Sequence, residues 1–232
     1  MKKIVVLTGA GMSAESGIAT FRDSGGLWDK YPVEQVATPE GYARDPKLVL
    51  DFYNVRRKEL LAATPNAGHF GLAELERDFE VKIITQNVDN LHEVAGSTSV
   101  LHLHGELMKA QSERNPNLVV ELTEKENYEI KIGDKASDGV QLRPFIVWFG
   151  EAVPMIEPAI ELSASADIYV VIGTSLNVYP AAGLLNYVPK GVPVFLIDPK
   201  EVATYRSNIH FIRKGASEGV KELAQELKKL YT

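Results

Sequence analysis

Ile4-Val5-Val6-Leu7-Thr8-Gly9-Ala10-Gly11-Met12-Ser13-Ala14-Glu15-Ser16-Gly17-Ile18 opens the chain as an apolar strand running into a turn of small residues. Such a strand sets the turn at the carboxyl edge of a sheet, where open α/β folds bind ligands. Gly9 and Gly11 let backbone N–H groups come close to a pyrophosphate, and the helix that follows turns its positive end toward it. Gly-x-Gly-x-x-Ala alone is shared by dehydrogenases and flavoproteins. The sequel separates this chain from them. A dehydrogenase needs a second strand ending in an acidic residue about twenty positions on. Here the helical pattern stops early, and Phe21-Arg22-Asp23-Ser24-Gly25-Gly26-Leu27-Trp28 follows. That glycine-rich loop predicts a cover over a dinucleotide rather than a route to a hydride donor.

Working outward, short apolar runs recur at 4–8, 81–85, 100–103, 145–149, 168–172, 192–197 and 209–212. Helix-length segments lie between most of them, as in a mainly parallel sheet with crossover helices. The fold class is α/β, a Rossmann-like sheet with helices on both faces. Asp45-Pro46 starts one helix, with Asp as N-cap and Pro at the first position, reaching about Ala63. Asn66 starts another. The run 217–230 places Val220, Leu223, Leu227 and Leu230 on one helical face. Two regions break the crossover pattern. Residues 29–64 are too long and polar for a single connection, and 107–143 carry turn signals around alternating stretches at 118–122 and 128–132, which suggest a hairpin. Together they read as a small second domain made of a helical insert and a β-ribbon-like insert. The main domain is then 1–28, 65–106 and 144–232.

At 232 residues, 45% hydrophobic and 24% charged, the chain has ample material for a core. A net charge of −6 without any run of basic residues argues against nucleic acid as a partner. No apolar stretch approaches the roughly 20 residues needed to cross a bilayer, and the N-terminus lacks a signal-peptide core. The expectation is a cytoplasmic protein with no membrane partner; nothing in the sequence points to an oligomeric state. The absence of cysteine excludes disulfides, thiolate catalysis and cysteine metal sites.

The second run ends in Thr85-Gln86-Asn87-Val88-Asp89-Asn90-Leu91-His92. Asp89 or Asn90 would serve as a helix cap, yet Gln86, Asn87 and Asp89 also form a set able to read a carboxamide and steady developing positive charge. The third run gives Leu101-His102-Leu103-His104-Gly105-Glu106, with both histidines on one strand face. Two histidines without nearby partners make a poor metal site. Either could be structural, but His104, where the chain leaves the strand, is the better general base near neutral pH.

These motifs, in order and followed by Gly173-Thr174-Ser175, resemble the sirtuins, NAD-dependent protein-lysine deacylases, from residue 4 to the last helix. Val147-Trp148-Phe149-Gly150-Glu151 and the stretch 178–183 look most like the bacterial members that prefer acidic acyl groups. The resemblance implies NAD as co-substrate and acylated-lysine proteins or peptides as partners. It implies that Asn87 and Asp89 hold the nicotinamide carboxamide, that Gln86 contacts the ribose, and that His104 deprotonates a ribose hydroxyl, so that the acyl group leaves as O-acyl-ADP-ribose. Gly9, Ala10, Gly11, Ser13, Phe21 and Arg22 would cradle and cover the pyrophosphate. Gly173, Thr174, Ser175 and Asp198 would line the adenosine half, and Glu15 and Ala216 complete the cofactor set. Taken alone, Gly173-Thr174-Ser175 would be a plain turn. A substrate peptide would pair as an extra strand near Val147, Trp148, Phe149 and Gly150.

Tyr53 and Arg56, three apart, share a helix face with Val49 and Leu60. An arginine in an apolar stripe often packs its stem and sends its head to water. The sharper reading is a guanidinium at the end of an acyl tunnel, with Tyr53 as second donor to a carboxylate. Tyr-x-x-Arg does this in the sirtuin subgroup that removes succinyl and malonyl groups, so those acyl groups are expected above acetyl. Most sirtuins also hold the small domain with a zinc on four cysteines. This chain has none, nor a histidine between 107 and 143, so no zinc or other metal is expected. The rival readings are an oxidoreductase, an NAD glycohydrolase or ADP-ribosyltransferase, and a module that binds NAD or ADP-ribose without turnover.

Overall fold

The computed structural model describes residues 1–20, 31–122 and 127–231. Its main sheet has six strands in the order β3-β2-β1-β7-β8-β9, all parallel. These are β1 (Lys3–Thr8), β2 (Glu80–Thr85), β3 (Val100–His102), β7 (Ile168–Ile172), β8 (Val194–Ile197) and β9 (Ile209–Ile212). β1, β7 and β8 are buried almost throughout because both faces are covered.

One face packs Ile4, Val6, Ile83 and Val170 against Leu72 and Leu75 of α5 (Ala67–Leu75) and against α8 (Ala216–Tyr231). The other packs Val5, Leu7, Ile84 and Val171 against α7 (Ile156–Ala164) and the 3₁₀ segment Ala181–Tyr187. On α8, Val220, Leu223 and Leu227 are fully buried, each worth about 1.5–3 kcal/mol of transfer free energy. Leu230, expected on the same face, is 62% exposed because the helix runs past the end of the core.

Beside this layer lies a three-stranded antiparallel sheet, β5-β4-β6, of β4 (Gly105–Ser112), β5 (Val119–Glu121) and β6 (Leu142–Ile146). Packed near it are the short helices α2 (Val33–Val36) and α3 (Pro39–Arg44) and the long α4 (Pro46–Ala62). Asp45 caps α4 through Leu48 N–H at 2.9 Å, with Pro46 at the first position. Asn66 caps α5 through Gly68 N–H at 2.9 Å. Both helices begin where expected.

Two expectations fail in the smaller sheet. The run 145–149 is strand only to Ile146, and that strand joins the antiparallel sheet, not the parallel one. The stretches 118–122 and 128–132 do not pair as a hairpin. Residues 119–121 pair with β4 instead. Ile130 gives its N–H and its C=O to the Asn54 side chain of α4, at 2.9 and 3.0 Å, leaving neither for a ladder.

Candidate active site

Strand register brings the motifs together. Thr8 pairs with Thr85 on one side and with Ile172 on the other, and Ile172 pairs with Ile197. The residues that follow, Gly9, Gln86, Gly173 and Asp198, therefore leave the sheet at one edge. They line a cleft of about 500 Å³ together with Ala10, Gly11, Glu15, His104, Thr174 and Ser175, a size typical of cofactor sites.

The glycines are required by contact between two turns. A Cβ on Gly9 would stand 2.7 Å from both Gly173 O and Thr174 Cβ, and one on Gly11 2.7 Å from Gly173 Cα. Gly173 itself has φ +61° and would set a Cβ 2.4 Å from Met12 N. The amides of the two glycines themselves are used within the fold. Gly9 donates to Ile172 O at 3.0 Å and Gly11 to Gly173 O at 2.9 Å. Ala10 N–H, between them, has no partner among the described residues. The helix that follows, α1 (Gly11–Ala14), is a single turn, so its dipole is slight. What the turns offer a pyrophosphate is bare backbone that no side chain fills, which suits NAD. Phe21 and Arg22, the expected cover, lie outside the described residues.

Asn87 and Asp89 are buried and joined through Ser13. Asn87 Nδ2 donates to Gly9 O at 3.0 Å and to Ser13 Oγ at 3.2 Å, and Ser13 Oγ donates to Asp89 Oδ2 at 2.9 Å. Since Gly9 O can only accept, the Asn87 amide is oriented unambiguously and its Oδ1 is the atom left for a ligand. Asp89 Oδ1 also accepts Leu91 N–H at 3.2 Å, at the first residue of α6 (Leu91–Val94), whose N-cap position is Asn90, without a side-chain cap bond. Burial raises its carboxyl pKa, opposed by these hydrogen bonds. Gln86 Nε2 donates to Thr174 Oγ1 at 3.1 Å, tying the second motif to the last. Ser13, Asn87 and Asp89 enclose a smaller pocket under the cleft that Ala10, Arg56 and Val88 also border.

The two histidines stand in different surroundings. His102 Nε2 lies 2.8 Å from Glu93 Oε1, and its Nδ1 3.2 Å from Asn87 O. Burial opposes charge there, but the Glu93 hydrogen bond and charge outweigh it and raise the His102 pKa. His102 is held by Glu93, as an ion pair whenever the ring is protonated. His104 Nδ1 lies 3.0 Å from Gln86 O. A carbonyl oxygen only accepts, so Nδ1 carries the proton and Nε2 keeps its lone pair. Burial holds the His104 pKa below the usual histidine value, with the Gln86 hydrogen bond opposing.

Val49, Tyr53, Arg56 and Leu60 are all buried. Tyr53 and Arg56 line the cleft, and Arg56 borders the lower pocket as well. Arg56 Nη1 lies 3.8 Å from Glu59 Oε2. Burial lowers its pKa, against the charges of Glu59, Tyr53 and Asp89. Val147, Trp148, Phe149 and Gly150 line the cleft as well. The amides of Val147, Phe149 and Glu151 go to His104 O, Ala37 O and Trp148 O, and that of Trp148 to Glu151 Oε2. A peptide strand laid here meets carbonyl oxygens and the Gly150 N–H. Asp198 accepts Lys200 N–H at 2.8 Å at the cleft margin. Ala216 is buried at the start of α8, and Gly215 before it faces the cleft.

Sequence reasoning passed over Arg57, Arg143 and the pair His69 and His92. Arg57, fully buried, donates from Nε to Leu107 O at 2.7 Å and from Nη1 to Asn54 Oδ1 at 2.7 Å. Next to Arg56, it broke the apolar pattern equally and carried the same signal.

The match to known proteins runs along the whole chain. The model of the Sir2 family fits residues 9–180. The chain belongs to the Sir2 family. An NAD-dependent protein deacylase of Bacteroides thetaiotaomicron is 69% identical over 98% of each chain, and one of Helicobacter pylori is 49% identical over 98% of each. Among solved structures, a Sir2 homologue–NAD complex superposes with TM-score 0.86 at 38% identity, covering 100% of this chain and 91% of the other. A Sir2 bound to acetylated peptide gives TM-score 0.77 at 29% identity, with 96% and 92% covered. Against this Sir2 background the smaller sheet does not fit a cysteine-held zinc. The chain has no cysteine, and no three His, Asp or Glu side chains converge among the described residues.

Proposed function

We propose that this Sir2 family member is an NAD-dependent protein-lysine deacylase that removes succinyl and malonyl groups in preference to acetyl. The observation that carries the deacylase reading is His104, whose tautomer Gln86 O sets so that a neutral Nε2 is available at the cleft. NAD, when bound, supplies the ADP-ribosyl group that takes the acyl chain from lysine. Gly9, Gly11 and Gly173 give it bare backbone, and Asp198 sits beyond β8 for the adenosine side. Asn87, locked by Gly9 O and Ser13, turns Oδ1 to the nicotinamide amide, and Asp89 adds negative charge beneath. His104 Nε2 takes a proton from a ribose hydroxyl, the general-base step.

Buried Tyr53 and Arg56 on the cleft wall support the acyl preference, since a guanidinium and a phenol suit a carboxylate-ended chain. The test is incubation with NAD and matched succinyl- and acetyl-lysine peptides, with products weighed by mass spectrometry. O-succinyl-ADP-ribose and a higher kcat/KM for the succinyl peptide are expected. Free ADP-ribose formed without peptide would make the protein a glycohydrolase. Equal or better acetyl turnover would end the acyl preference.

A further inference from the structure

Trp148 and Tyr53 meet across the acyl side of the cleft, from sequence positions 95 residues apart, with Trp148 Nε1 3.0 Å from Tyr53 Oη. An indole N–H only donates. The Tyr53 oxygen is therefore the acceptor, and its own proton remains to be given elsewhere. No described residue takes it. Burial pushes the Tyr53 pKa up, opposed by the Trp148 hydrogen bond and nearby arginines, so the phenol keeps that proton at any working pH.

The indole is itself held on several sides. Glu151 Oε2 accepts the Trp148 backbone N–H at 2.7 Å, which fixes the main chain that carries the ring. The Arg143 guanidinium lies 3.5 Å from the indole ring centre, and the Tyr42 ring lies 5.1 Å from it. Arg143 is pinned in turn, with Nη1 to Glu151 Oε1 at 2.8 Å and Nη2 to Glu151 Oε2 at 3.1 Å and to Ile146 O at 2.9 Å. Bidentate guanidinium–carboxylate pairs and cation–π stacking both fix orientation. The arrangement aims a donor, and it leaves a buried O–H without an acceptor among the described residues.

We propose that Trp148 is a positioning residue for acyl selection: its indole N–H makes the Tyr53 hydroxyl an obligate donor into the pocket, which favours acyl chains ending in a hydrogen-bond acceptor, a carboxylate above all. This rests on the succinyl and malonyl reading given above and adds the residue that enforces it. Arg143 and Glu151 act one step further out, by holding the indole.

The experiment compares succinyl- and acetyl-lysine peptides of one sequence on the wild type, Trp148→Phe, Tyr53→Phe and the double variant. Trp148→Phe is expected to lower the succinyl-to-acetyl ratio of kcat/KM about tenfold, chiefly through KM for the succinyl peptide. Tyr53→Phe should do the same, and the double variant should fall no further than the worse single one. Should Trp148→Phe fold poorly, placing benzothienylalanine at 148 keeps the shape and removes only the N–H, with the same loss expected. A ratio unchanged in Trp148→Phe or the isostere, while Tyr53→Phe lowers it, overturns the proposal and leaves the acyl reading standing. Losses that multiply in the double variant also overturn it. A wild type that prefers acetyl overturns both.

Discussion

A single hydrogen bond decides what His104 can do. Gln86 O, 3.0 Å away, holds the proton on Nδ1, and burial keeps the ring from acquiring a second one. In the proposed mechanism this neutral ring is the base. Its pKa lies below the 6.5 of a free histidine, so kcat/KM should rise with pH through an inflection below 6.5 and stay level above it. A pH–rate profile with its acid limb above 6.5 would remove His104 from the base role. His104→Ala should lose about 10²–10⁴-fold in turnover, the usual contribution of a general base. His104 stood out in the sequence because a histidine just before glycine, where the chain leaves a strand, has few structural duties; β3 in fact ends two residues earlier, at His102. The partner that fixes its tautomer, a backbone carbonyl 18 residues away, leaves no trace in residue type.

At the scale of elements, the smaller sheet is held by packing and by one amide. Leu50, Ala110, Leu122, Ile130, Ala136 and Leu142 form its core. Asn54 joins α4 to it through Ile130 N–H and C=O and receives Arg57 Nη1. Asn54→Ala leaves those groups without partners, at about 1–3 kcal/mol for each buried one. A loss of about 2–3 kcal/mol in a urea titration is expected, while a change under 0.5 kcal/mol would mean that the amide holds nothing. Purified protein should carry no stoichiometric zinc by elemental analysis, and chelator should leave its unfolding midpoint unmoved. One bound equivalent, lost together with the fold, would contradict this.

Helix starts were legible at this scale because capping is local: Asp45-Pro46 and Asn66 state their role within three residues. Pairing of residues 128–132 was not. Alternation reports a half-buried extended segment; Ile130 is buried, but Ile132, two positions on, is 58% exposed. It does not say whether the backbone partner is a strand or a side chain on a helix.

In the whole molecule, a fully buried polar layer lies beneath the cleft. The His69 and His92 rings stand 4.9 Å apart. His69 Nδ1 accepts Asn66 N–H at 3.2 Å, and His92 Nε2 lies 3.2 Å from Thr8 Oγ1, which donates to Thr85 Oγ1 at 2.8 Å. Burial drives the His69 pKa down to about 4, and that of His92 falls well below the usual value for the same reason. Between pH 6.5 and 4 the unfolded chain binds a proton at His69 that the folded chain refuses, so stability is lost as pH falls through that window. At about 1.4 kcal/mol per unit, His69 accounts for about 3 kcal/mol. His102, raised by Glu93, works in the opposite sense. Stability measured from pH 7 to 4 in wild type and His69→Gln isolates the term: the acid loss should shrink by about 3 kcal/mol in the variant. An identical pH slope in both would show that His69 does not titrate in this window.

By itself the sequence determined the α/β class, the strands whose ends meet at one edge of the sheet, and the Tyr53 and Arg56 stripe. Each of these is a local pattern, written in periodicity, turns and caps that neighbouring residues impose on one another. Membership of the Sir2 family was legible for the same reason, as four short motifs in order. Only the tertiary structure decided that Gly9 and Gly11 serve the contact with Gly173 instead of offering their amides. It alone decided that β6 belongs to the smaller sheet, and that Trp148 dictates the direction of the Tyr53 hydroxyl. Those facts depend on which donor meets which acceptor across tens of residues. Hydrogen bonds are spent once, and only the folded chain shows where.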